Sequence, residues 1–145
     1  MRVLGIDLGD RSIGLAISDK LLLTAQGLGR YRIKNPEEDR KYFCELVSRY
    51  EINEIVIGLP LRMNGSQGSR AEKTREFACW LEKTLNLPII FWDERLTTQQ
   101  ALKILRQQKV KTQRKKILKD QISATIILSC YLESRRIKSH DPKNY

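Results

Sequence analysis

Asp7 is the first residue whose chemistry stands out, because it interrupts an otherwise apolar stretch. Residues 2–8 read RVLGIDL, a pattern typical of a central strand that is buried on both faces. An ionised carboxylate is costly in such a strand unless a cation or hydrogen bonds compensate its charge. A metal ion would provide that compensation. Alternatively, Asp7 caps the turn formed by Gly9 and Asp10, and the strand alone does not choose between these roles.

Two further acids, Asp93 and Glu94, directly follow a strand-like run at 89–92. Ligand-binding groups of α/β sheets gather at the carboxyl ends of parallel strands, so Glu94 is expected to converge there with Asp7. Asp93 is either an assistant or substitute for Glu94, or an ordinary loop acid that pairs with Arg95.

Asp120 lies on an apolar stripe of the last predicted helix, in series with Ala124 and Ile127. A first-turn acid stabilised by the helix dipole would look the same. Three carboxylates from a strand, a strand exit and a helix suit Mg²⁺ or Mn²⁺, which prefer oxygen ligands. Such ions activate water and stabilise the leaving oxygen in phosphodiester hydrolysis. We therefore predict that Asp7, Glu94 and Asp120 are both metal ligands and catalytic residues.

The charge of the chain favours nucleic acid as its partner. Lys and Arg number 27 against 17 for Asp and Glu, which gives a formal net charge of +10. The basic stretch KVKTQRKK at 109–116 precedes the helix that carries Asp120, and it is either a phosphate-binding segment or a solvated loop. Arg95 could hold a phosphate as a fork or pair internally with a nearby acid. The predicted nucleic-acid-binding residues are Arg11, Arg62, Arg95, Lys109, Lys111, Arg114, Lys115 and Lys116.

The elements that position these residues follow from the hydrophobic pattern. Strands are predicted at 2–8, 12–18, within 22–33, and at 53–59 and 89–92. Helices are predicted after the capping residue Asn35, around Phe77, from Thr97, and over 117–137, with a loop at 61–70. The order βββαβαβαα predicts an α/β fold, a five-stranded mixed sheet in which three antiparallel strands and parallel additions are flanked by helices.

Length and composition predict one domain of 145 residues, which we place at 1–138, with a basic, flexible tail at 139–145. No apolar run approaches the ~18 residues of a membrane span. The three cysteines are widely spaced and odd in number, so neither a disulfide framework nor a zinc site is predicted. We expect a cytoplasmic protein with no membrane partner.

Four segments carry a family resemblance over nearly the whole chain. They are GIDLGDRSIGLAISD at 5–19, IVIGLPLRMNGSQGSRA at 55–71, DERLTT at 93–98 and KDQISATIILSCYLE at 119–133. Together they resemble the YqgF family of pre-16S rRNA nucleases, also described as Holliday junction resolvase-like proteins. Asn64 and Lys119 depart from the common family pattern, and neither departure removes a predicted metal ligand.

The resemblance implies a ribonuclease H-like fold and a divalent-metal phosphodiesterase, with Asp7, Glu94 and Asp120 as its acidic triad. It implies a role in maturing the 5′ end of precursor 16S rRNA, with the ribosome or a pre-ribosomal particle as partner. The relation to junction resolvases makes branched DNA the alternative substrate. A homodimer would favour junction cleavage, whereas a monomer would favour the processing of RNA ends.

Two other classes of function compete with a nuclease. The opening GIDLGD also resembles the phosphate loop of the actin and Hsp70 ATPases, but those enzymes close two such domains around the nucleotide and this chain offers one. The other class is a non-catalytic ribosome-assembly or transcription factor that uses only its basic surface. The acidic triad separates the classes, because only a nuclease would lose activity when these acids are neutralised.

Overall fold

A computed structural model describes residues 1–61, 68–96, 103, 106–107 and 119–139, without the side chains of 119–121 and 139. Among these residues the strands are β1 (Arg2–Leu8), β2 (Ser12–Ser18), β3 (Ala25–Arg32), β4 (Ile52–Leu59) and β5 (Ile89–Asp93). The helices are α1 (Pro36–Tyr50), α2 (Ser69–Leu85) and α3 (Lys119–Ser139).

The strands form one mixed sheet in the order β3-β2-β1-β4-β5. β1 and β2 pair antiparallel, as do β2 and β3, whereas β4 runs parallel to both β1 and β5. The predicted α/β fold with a five-stranded mixed sheet is therefore confirmed. β1 lies at the centre, as its almost continuous apolar sequence indicates.

The two faces of the sheet are covered by different helices. On one face, Leu4 and Ile6 pack in a core with Phe43 of α1 and Leu81 of α2. On the other face, Val3 packs with residues of α3 such as Leu128. Successive residues of a strand point to opposite faces, so Asp7 shares the α3 face with Val3.

α3 lies unusually close to β1 because Gly5 has no side chain. A Cβ atom built on Gly5 would lie 2.8 Å from Cβ of Leu128 and 3.1 Å from the carbonyl oxygen of Ala124. Both atoms belong to the rigid part of the helix. The beginning of α3 is thereby held over the carboxyl end of β1, where Asp7 lies.

The predicted start of α1 is confirmed. The side chain of Asn35 accepts a hydrogen bond of 2.9 Å from the backbone N–H of Glu38, and Pro36 begins the helix. The loop predicted at 61–70 is corrected at its end, because Ser69 and Arg70 belong to α2, while residues 62–67 lie outside the described part. α3 covers Lys119–Ser139 and so continues two residues past the predicted end at 137, whereas the predicted start at 117 lies outside the described residues.

Several predictions fall on residues outside the described part. Of the helix predicted from Thr97, only Lys103, Arg106 and Gln107 are described, and these are helical. Apart from the backbone of Ser139, the predicted tail at 139–145 is also outside. Within the described ranges no helix is long and apolar enough to cross a bilayer. Cys44, Cys79 and Cys130 form no disulfide in the described part of the chain.

Candidate active site

Asp7 lies at the carboxyl end of the central strand, half-buried on the face that α3 covers. Its neighbour in β2 is Gly14, which has no side chain to cover it from that direction. The sequence places the acid here because the apolar run of β1 continues through Ile6 and the turn to β2 begins at Gly9.

Glu94 reaches the same place from the far side of β4. β5 pairs with β4 as far as Asp93 opposite Leu59, and the N–H of Glu94 then donates to the carbonyl of Leu59 at 3.4 Å. A Cβ atom built on Gly58 would lie only 2.6 Å from Oε1 of Glu94. The missing side chain at Gly58 therefore leaves the space in which the carboxyl group of Glu94 crosses β4 toward Asp7.

The carboxyl groups of Asp7 and Glu94 are hydrogen-bonded to each other. Loss of hydration around its carboxyl raises the pKa of Glu94, and the charge of Asp93 adds to this. The charge of Arg70 and the hydrogen bond with Asp7 act in the opposite direction. Two carboxyl groups in such contact must share a proton or receive a cation. Their oxygen atoms are the donors that Mg²⁺ and Mn²⁺ prefer, so this pair fits the predicted metal.

A cleft of about 300 Å³ opens over the acidic pair. Its walls are formed by Asp7, Arg70, Trp92, Glu94, Ser123, Ile126, Ile127 and Cys130. The cleft thus joins the ends of β1 and β5 to the beginnings of α2 and α3. A phosphate group entering it would meet two acids and one arginine.

Arg70 is a residue that the sequence analysis did not single out. It lies in the first turn of α2, is exposed, and is close enough to Glu94 for its charge to lower the pKa of that acid. The glycines and serines before it predict a loop that extends through position 70. The available signal was its place in the segment 55–71, which carries the family resemblance.

Asp120 occupies the second position of α3, and its side chain is outside the described part of the chain. Ser123 and Ile127, three and seven residues later on the same helix, line the cleft. Among the described side chains no group of three His, Cys, Asp or Glu residues could hold a metal ion. The third metal ligand therefore stays a prediction.

Asp93 and Arg95 form an ion pair beside the cleft. Nη2 of Arg95 lies 2.6 Å from Oδ2 of Asp93, and the backbone N–H of Arg95 donates to the same carboxylate at 3.0 Å. The guanidinium group lowers the pKa of Asp93. This is the internal pairing that the sequence left open, and a phosphate contact by Arg95 stays a prediction.

The remaining predicted basic residues fall into two groups. Arg11 is exposed at the turn between β1 and β2, beside a small cleft that also contains Arg30 and Arg32. The other members lie outside the described residues; they are Arg62, Lys109, Lys111, Arg114, Lys115 and Lys116.

A family model described as "RuvX: Holliday junction resolvase" matches residues 1–134. A protein of Halothermothrix orenii is 48% identical over 132 residues, which cover 91% of this chain and 94% of the relative. A protein of Koribacter versatilis is 44% identical over 141 residues, covering 97% and 92%. Both relatives are named "Putative pre-16S rRNA nuclease".

The fold is also that of a solved junction resolvase. The structure of "T. thermophilus RuvC in complex with Holliday junction substrate" superposes with a TM-score of 0.60 at 16% identity. The match covers 94% of this chain and 96% of that one. The ribonuclease H-like fold implied by the resemblance is therefore confirmed.

Proposed function

Because this chain belongs to the RuvX family, whose members are nucleases that hydrolyse phosphodiester bonds, we propose that it is a divalent-metal-dependent endonuclease acting at Asp7 and Glu94. We place its substrate at the 5′ end of precursor 16S rRNA, which the names of the relatives support. The observation that carries the proposal is the hydrogen-bonded pair of carboxyl groups that lines an open cleft.

Asp7 and Glu94, with Asp120 as third ligand, would hold Mg²⁺ or Mn²⁺. A divalent cation bound there supplies an activated water and neutralises charge on the scissile phosphate. Ionised Asp7 and Glu94 repel each other. A cation that replaces the proton between them removes this repulsion and so stabilises the site. The raised pKa of Glu94 means that protons compete with metal on the acidic side.

Arg70, which also lines the cleft, supports the same chemistry. It is a permanently charged group beside Glu94, and its fork of N–H donors matches the oxygens of a phosphate. We assign it to hold a non-bridging oxygen of the scissile phosphate. Such a contact orients the phosphodiester toward the acids and stabilises charge that develops during cleavage.

A second candidate function is cleavage of Holliday junctions. The fold shared with RuvC and the description of the family favour it. Symmetric cutting of a junction requires two active sites, so this function would need a homodimer. We therefore expect a monomer if precursor rRNA is the substrate.

Purified protein should be compared on precursor 16S rRNA fragments, single-stranded RNA and four-way DNA junctions, with Mg²⁺, Mn²⁺ or EDTA. We expect metal-dependent cutting of the precursor, reduced at least about 100-fold in Asp7→Asn, Glu94→Gln and Asp120→Asn while binding persists. Asp10→Asn is the matched control, because this exposed acid lies in the turn beside Asp7 but does not line the cleft. Undiminished cutting in the three variants would remove the catalytic assignment. Binding without cutting in either metal would instead indicate a non-catalytic ribosome factor.

A further inference from the structure

A second cleft, entirely basic in its charged groups, lies near the other edge of the sheet. It has a volume of about 170 Å³ and is lined by Arg11, Ser12, Arg30 and Arg32. All three arginines are exposed. Within the described part of the chain none of them forms an ion pair, in contrast to Arg95.

The arginines of β3 point to the same face of the sheet as Asp7. Tyr31, which lies between them, is buried in the core beneath α1, where its hydroxyl donates to Asp39 at 2.6 Å. Alternation along the strand therefore directs Arg30 and Arg32 to the opposite face, which α3 covers. The buried tyrosine fixes this orientation.

One row of residues connects the basic cleft with the acidic pair. Gly14 in β2 pairs with Asp7 on one side and with Arg30 on the other. Two interstrand spacings of about 4.8 Å, roughly 10 Å in all, separate the two strands that flank β2. A bound strand carries one phosphate per nucleotide, so it spans this distance within a few nucleotides.

Three like charges around one small cleft repel one another, and a polyanion removes that repulsion when it binds. The geometry points to Arg11, Arg30 and Arg32 as a second phosphate-binding site, which holds the backbone of the substrate strand within a few nucleotides of the scissile phosphate. The contact is to phosphate and therefore independent of base sequence. The inference rests on the proposed function, because cleavage at Asp7 and Glu94 defines the scissile position.

The first test measures binding in metal-free buffer, where no cleavage occurs, with a fluorescent precursor rRNA fragment over a range of salt concentrations. The double variant Arg30→Gln/Arg32→Gln should bind roughly 10-fold more weakly and show a salt slope smaller by about 1.4 to 1.8, as expected for two lost contacts. The control Arg40→Gln/Lys41→Gln removes the same charge from exposed positions on α1, beyond the other face of the sheet, and should leave the slope unchanged. Equal unfolding temperatures would show that both double variants are folded.

The second test locates the contact. Single methylphosphonates are placed at each of the five phosphates on either side of the cleavage site, and the affinity of each oligonucleotide is measured. Wild-type protein should lose affinity at one phosphate, or two neighbouring ones, a few positions from the cut, and Arg30→Gln/Arg32→Gln should be insensitive there. A double variant that behaves like the control, or that keeps the penalty, overturns the inference. If wild-type protein binds but never cleaves, the proposed function fails, whereas the salt slope still decides whether these arginines bind phosphate.

Discussion

Glu94 is the residue at which the demands of folding and of function differ most. Its carboxyl group lies against the carboxyl group of Asp7, and loss of hydration raises its pKa above the ordinary value of 4.5. The unfolded chain therefore releases this proton at lower pH than the folded protein does. Below the ordinary pKa the folded state has the full benefit of binding the proton, and it loses that benefit as pH rises through the raised pKa.

We predict that Glu94→Gln raises the unfolding temperature of the metal-free protein at pH 7, because the amide keeps a hydrogen-bonding partner for Asp7 without the ionisation cost. The difference from wild type should shrink as the pH falls to 4, where wild-type Glu94 is largely protonated. Calorimetry in EDTA across this range measures it.

The matched control for Glu94→Gln is Glu76→Gln, which removes the same charge from an exposed position on α2. Addition of Mg²⁺ should stabilise wild-type protein more than Glu94→Gln. A metal-free Glu94→Gln variant that unfolds at a lower temperature than wild type at pH 7 would contradict the free-energy cost assigned to ionising Glu94.

At the scale of elements, two glycines decide how α3 and the acidic pair meet the sheet. A Cβ atom at Gly5 would press on Cβ of Leu128 and on the backbone of α3, neither of which can move without the helix. A Cβ atom at Gly58 would lie 2.4 Å from Cδ1 of Ile127 and 2.6 Å from Oε1 of Glu94, which are the ends of flexible side chains. The same substitution should therefore have different consequences at the two positions.

We predict that Gly5→Ala lowers the free energy of unfolding by about 1 to 3 kcal/mol, as overpacking typically does. Gly58→Ala should cost less stability, because Ile127 and Glu94 can turn aside, but more cleavage activity, because Glu94 then leaves Asp7. Urea unfolding and cleavage rates of the folded proteins measure the two effects, and each variant serves as the control for the other. Equal losses of stability with normal cleavage in Gly58→Ala would refute the role given to this glycine.

Part of this arrangement is predictable from sequence alone. The apolar runs of β1 and β2, and the apolar run of β5 with the two acids after it, are local patterns. They are sufficient to predict the mixed sheet and the approach of Glu94 to Asp7. The space above Gly58 and the charge of Arg70 beside Glu94 arise from tertiary contacts that no local pattern encodes. Glycine and serine before Arg70 have the propensities of a loop, yet Gly68 precedes the first turn of α2.

At the scale of the whole molecule, a chain with a net charge of +10 presents an acidic pair flanked by arginines. A polyanion attracted by the overall charge would be repelled by Asp7 and Glu94 unless a cation occupies them. Metal binding and substrate binding should therefore support each other, while most of the affinity comes from basic residues outside the cleft.

The stretch 109–116 should supply a large part of that affinity, because it holds five basic residues and precedes α3 in the sequence. We predict that replacing Lys109, Lys111, Arg114, Lys115 and Lys116 by Gln weakens binding of cognate and unrelated RNA by similar factors. If each makes one phosphate contact, the slope of log K against log salt falls by about 0.7 per contact on single strands, or roughly 3.5 in all. Binding titrations between 50 and 200 mM salt measure this slope. In the control variant, five exposed basic residues of α1 and α2 are replaced by Gln, namely Arg40, Lys41, Arg49, Lys73 and Lys83. An unchanged slope, or a loss confined to one RNA sequence, would contradict a backbone-binding role, since contacts to phosphate carry no sequence information.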